Sequence, residues 1–159
     1  MYDYCTVEKD KGYTFNQASL EFSSGNTNLL TYSINSTLGE FFNGNRYSIG
    51  GTVSYRAQPW GQFSLNVNYD GIKLPEPYSS ANLWLITPRI EITFNKTLFF
   101  STMVQYSNQR ENLGVNARLQ WRFAPLSDLY LVYNDTYNTL DLTPRFRSLN
   151  FKLSYWLNL

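Results

Sequence analysis

Read by twos from residue 149, the chain gives Leu149, Phe151, Leu153, Tyr155, Leu157 and Leu159, all apolar or aromatic. The residues between them, Asn150, Lys152, Ser154, Trp156 and Asn158, are polar except for the tryptophan. A period of two is the pattern of a β-strand with one apolar and one polar face. It recurs along the chain. "QFSLNVNYD" sets Phe63, Leu65, Val67 and Tyr69 against Gln62, Ser64, Asn66, Asn68 and Asp70, and "LGVNARLQWRF" sets Leu113, Val115, Ala117, Leu119, Trp121 and Phe123 against Gly114, Asn116, Arg118, Gln120 and Arg122. No apolar period of 3.6 residues persists for three turns, so the pattern predicts no helix. It predicts nine strands, at about 14–24, 29–39, 46–57, 61–70, 82–94, 97–107, 112–123, 128–135 and 147–158. Two segments depart from strict alternation. Phe99 and Met103 fall on the polar side of "TLFFSTMVQY", and Pro88 in "LWLITPRIEITF" predicts a bend, a bulge or an edge position.

The connections between these strands alternate in length. "QPWG", "NK" and "APLS" are short, "FFNGNR" and "SNQREN" are medium, and "GIKLPEPYSSA" and "TYNTLDLTPRF" are long; only "SSGNTN" breaks the trend. Hairpins that open on two unlike sides are a feature of outer-membrane barrels, which have tight periplasmic turns and longer external loops. Strands near ten or eleven residues suit a tilted crossing of the hydrocarbon layer, whereas soluble strands average five or six. Aromatic residues on the apolar stripes cluster at strand ends: Tyr69, Tyr106 and Tyr133 at the proposed external ends, and Tyr55, Phe63, Phe94, Trp121, Phe123 and Tyr155 at the others. Two such girdles suit rings with an apolar body and a polar tip at two membrane interfaces. The expected fold is therefore all-β: an antiparallel up-and-down transmembrane β-barrel segment over residues 14–159, preceded by an irregular segment at 1–13. An odd strand count implies a part of a larger barrel, with the C-terminus periplasmic and the N-terminus outside the cell. A soluble barrel or sandwich binding an apolar ligand would show the same alternation turned inside out.

Composition narrows the chemistry. The 159 residues carry 13 basic and 12 acidic side chains, a balance that does not point to nucleic acid. Aromatic residues make up 18% and charged residues only 16%, so amide and hydroxyl side chains supply much of the polarity. With no histidine in the chain, neither a Ser–His nor a His–Asp catalytic pair can be assembled, and histidine zinc sites are excluded. Cys5 stands alone and cannot form an internal disulfide. The acids Asp70, Glu76, Asp135 and Asp141 are expected in loops, where aspartate satisfies local backbone donors. None shows the oxygen-ligand spacing of a calcium loop, and no enzyme activity or cofactor is expected. On the polar stripes, Arg56, Arg89, Glu91, Gln105, Arg118, Gln120, Arg122 and Lys152 have two readings. They line a wet lumen favouring anionic solutes, or they fill the interior by pairing with Glu91, Glu21 and their neighbours. No apolar run approaches a membrane-spanning helix. "MYDYCTVEKDKGYTF" lacks the basic patch and apolar stretch of an export signal, so any such signal is expected upstream.

Lys152, Ser154, Tyr155, Leu157 and Leu159 resemble the C-terminal signal by which the barrel-assembly machinery of Gram-negative bacteria recognises its clients. Ser154 stands in the usual glycine place and Leu159 in that of the usual terminal phenylalanine. "LFFSTMVQYSNQRENLGVNARLQWRFAPLSDLYLVYN", with "GEFFNGNR" before it and "RSLNFKLSYWL" after it, resembles a bacterial family. Its members join a sandwich similar to family-9 carbohydrate-binding modules to a C-terminal domain of unknown function with barrel-like strands. The resemblance covers about residues 20 to 159, with Leu126 where the pattern leads one to expect glycine. It implies an outer-membrane domain serving as anchor or pore for an upstream module, with the lipid bilayer as its surroundings. TonB-dependent receptors share the terminal signal and the composition, and are the rival family.

Overall fold

The computed structural model describes residues 16–25, 27–42, 44–76 and 78–157. It contains nine strands: β1 (Gln17–Ser23), β2 (Leu30–Phe41), β3 (Gly44–Ala57), β4 (Gly61–Lys73), β5 (Ala81–Thr93), β6 (Leu98–Ser107), β7 (Asn112–Ala124), β8 (Ser127–Asn138) and β9 (Pro144–Ser154). They form one antiparallel up-and-down sheet in chain order, with β1 and β9 as open edges and no helix among the described residues. The expected irregular segment at 1–13 and the start of the expected first strand lie outside those residues.

Each strand matches an expected one, but several ends move. β4 and β8 run on to Lys73 and Asn138, which puts Asp70 and Asp135 inside strands and not in loops. β9 begins three residues early and stops at Ser154, because its partner β8 begins at Ser127 and offers almost no backbone beyond the Asp128–Ser154 pair. The alternation of short and long connections largely disappears. One end of the sheet, the Asp141 end, carries the connections 42–43, 74–80, 108–111 and 139–143. The other, the Pro125 end, carries 24–29, 58–60, 94–97 and 125–126. Polar residues that resemble loop in the sequence instead continue the ladders, as in Glu40–Asn45 and Asn112–Asn138.

Pro88 lies in the interior of the sheet and causes neither a bulge nor an edge. Toward β4 it pairs with Leu65 in an unbroken register. Toward β6 the pairing lapses at 87 and 88 and resumes in the same register at Arg89–Met103, as expected where proline has no N–H to donate. Strand centres step mostly in one sense from β1 to β9, by about six residues in all, so successive strands are staggered across the sheet.

The sheet is a single layer, in which every substantial contact joins neighbouring strands. No apolar side chain is buried among the described residues, and Leu20, Ile34, Leu149 and Phe151 each remain more than half exposed. Hollows in the surface lie on the other, polar face. One of about 350 Å³ is lined by Asn35, Arg46, Ser48, Gly50, Asn68 and Asp70. The polar face is thus the concave side, and the apolar face the convex one.

Candidate functional site

The polar face is built from strand positions that the register places side by side. One row runs Arg56, Gln62, Glu91, Ser101, Arg118, Val132 and Asn150 from β3 to β9. The next runs Ser54, Ser64, Arg89, Met103, Asn116, Asn134 and Ser148. Short amides and hydroxyls reach across strands, Asn66 donating to Thr52 (2.8 Å), Asn116 to Asn134 and Asn134 to Ser148 (3.2 Å), while Asn68 donates along β4 to Asn66 (2.6 Å). Gly50 leaves room where the Asn35 and Asn68 amides converge. A Cβ there would lie 2.5 Å from Asn35 Oδ1 and 2.6 Å from Asn68 Oδ1.

The charged residues expected on this face divide by end. Toward the Pro125 end, Arg89 pairs with Glu91 at 2.5 Å, and Arg122 with Asp128 at 3.4 Å. Gln120 donates to Asp128 (3.0 Å) and to Tyr130 (3.2 Å). A hollow of about 220 Å³ lies among Glu91, Phe99, Ser101, Arg118 and Gln120. Toward the Asp141 end, Arg46 and Ser48 both donate to Asp70, Arg46 through Nη2 at 2.7 Å. Glu21 lies on β1 opposite Asn35, far from the arginines of β5 and β7.

Aromatic residues occupy both ends of the apolar face. At the Asp141 end, Tyr47, Tyr69 and Trp84 form a chain with ring centroids 5.8 and 4.5 Å apart. The Tyr69 hydroxyl donates to Asn82 (3.0 Å) and Lys73 lies 5.9 Å above the Tyr47 ring. Tyr47 also covers Gly71, where any Cβ would meet the ring. At the Pro125 end, Trp121 lies beside Phe123, which stacks on Tyr155 at 6.3 Å. Tyr55 pairs with Leu30 and Phe63, and Tyr106 with Ile86 and Leu113, near the ends of their strands. Tyr133 does not hold the end position expected of it. Because β8 continues to Asn138, Tyr133 lies mid-strand and Tyr137 stands nearer the end.

The sequence reading missed one cluster entirely. Asp135, expected as a solvated turn acid, lies on the apolar face between Val115 and Arg147 and is 1% exposed. Its carboxylate accepts from Tyr133 (2.5 Å), Tyr137 (2.7 Å) and Arg147 Nε (2.8 Å), so a buried charge has every partner it needs. The available signal was its spacing: 133, 135 and 137 share one face of β8.

Of the residues resembling an assembly signal, Lys152 and Ser154 lie in β9, while Tyr155 and Leu157 follow it and are exposed. Leu159 lies outside the described residues. The backbone N–H of Trp156 donates to the buried Ser127 hydroxyl (3.1 Å), tying the segment after β9 to the 125–126 turn. No group of side chains suited to a metal ion occurs among the described residues. No protein-family model matches this chain, and no curated protein does either.

Proposed function

We propose that this chain is the lipid-embedded wall of an outer-membrane β-barrel in a Gram-negative bacterium, acting as anchor or pore for the polypeptide attached to it. The observation that carries this reading is the convex apolar face. It spans nine strands and packs against nothing, interrupted toward the Asp141 end by the Asp135–Arg147 pair, while the amide and hydroxyl side chains gather on the concave side. In lipid every backbone polar group must be satisfied within the protein, and a closed sheet of strands meets that demand. The same exposed apolar area in water would be an aggregation surface. In this reading the Pro125 end is the periplasmic side. The upstream partner in this reading is the carbohydrate-binding-like module that the sequence resemblance implies, and insertion is by the barrel-assembly machinery. A soluble barrel with an apolar ligand inside would need its apolar stripes on the concave face, and the hollows lie on the polar one.

The test is solubility and membrane partition. The protein should be monodisperse only in detergent and should float with liposomes through an alkaline wash. A monodisperse species in plain buffer that ignores liposomes would overturn the proposal.

A further inference from the structure

We infer that the interior bounded by the polar face selects anionic solutes, through a band of basic side chains toward the Pro125 end. The inference rests on the barrel reading above and adds the class of solute. Arg56, Arg89, Arg118 and Lys152 lie on β3, β5, β7 and β9, on every second strand of the same face, with Arg122 also on β7. Strands two apart are separated by about 10 Å, close to the screening length at physiological ionic strength. The fields of these cations therefore overlap across the sheet.

Acids only partly offset them. Glu91 is engaged by Arg89 and Asp128 by Arg122. Among the described residues, Arg118 and Lys152 have no acidic partner within ion-pair distance. Arg118 borders the 220 Å³ hollow with Ser101, Gln120 and Glu91, and the Glu91 carboxylate is already paired with Arg89, so the Arg118 guanidinium faces the hollow without an ion-pair partner of its own. Toward the other end, the Arg46–Asp70 pair is balanced. The basic side chains of Arg118 and Lys152, without acidic partners, thus fall in one band, where a small anion or a carboxylate- or phosphate-bearing solute would be concentrated and a cation repelled.

The test is the zero-current potential of the full-length protein in planar bilayers across a KCl gradient, with insertion checked separately by flotation of the same preparation. The wild type should favour chloride over potassium by at least about twofold. An R118E/K152E double variant should lose or reverse that preference, whereas R118K should keep it. Protein that inserts but passes potassium preferentially, shows no preference or conducts nothing overturns the anion inference and leaves the membrane reading standing. Failure to insert overturns both. If the double variant does not assemble, the wild-type potential decides alone.

Discussion

At the scale of single residues, Leu126 is the most informative. It follows Pro125 in the two-residue connection between β7 and β8 and has φ of 56°, in the left-handed region that favours glycine. The resemblance to a bacterial family implies glycine there, and a left-handed φ is the conformation that glycine adopts without steric cost. The leucine is 70% exposed, so little packing is lost by removing it. Leu126→Gly should raise stability by about 0.5–1 kcal/mol in chemical unfolding of the membrane-inserted protein. Asp141, in the 139–143 connection, accepts from Thr143 Oγ1 (2.8 Å) and Thr143 N (3.1 Å). Those bonds hold its carboxyl below the usual carboxylate range. A lowered folded value means that the ordering of this connection is complete above pH of about 4 and is lost as pH falls through the folded-state value. The Thr143 amide resonance should titrate below that range, and Asp141→Asn should abolish the titration. Asp135 shows where residue-level reading fails. An aspartate near the end of a strand is indistinguishable by type from a turn aspartate; the spacing of Tyr133 and Tyr137 on its own face and the position of Arg147 across the ladder separate them.

At the scale of elements, nine strands and their order were legible because period two needs nothing but the sequence. Their ends were not, because Asn, Asp, Thr and Ser serve equally on the polar face of a strand and in a loop. β9 illustrates the consequence. Drawn at 147–158, it has Leu153 near its middle; paired as observed at Pro144–Ser154, it has Leu149 there. Leu149→Arg should therefore cost about 2–4 kcal/mol on folding into liposomes, against about 0–1 kcal/mol for Leu153→Arg near the strand end. Asn150→Arg, on the polar face, should cost less than about 1 kcal/mol. Urea titrations of the three variants in one lipid check the ranking.

At the scale of the whole molecule, β1 and β9 run in the same direction, since each neighbour in the nine-strand meander is antiparallel to the last. Antiparallel closure therefore needs an odd number of further strands between them. In the assembled full-length protein, cysteine pairs scanned along Ala18, Leu20 and Phe22 against Leu149, Phe151 and Leu153 should form no direct disulfide. An efficient cross-link would mean a nine-strand barrel closed in parallel. The sequence could show that two faces exist but not which one curves outward, because alternation is symmetric and curvature is a property of the assembled sheet. That outward assignment is the central claim, and β7 tests it best because it is flanked on both sides. Spin labels placed singly at 115 to 121 in the liposome-inserted protein should collide with oxygen dissolved in lipid at 115, 117, 119 and 121, and with a water-soluble nickel chelate at 116, 118 and 120. The opposite phase, or odd positions shielded from both reagents, would contradict it.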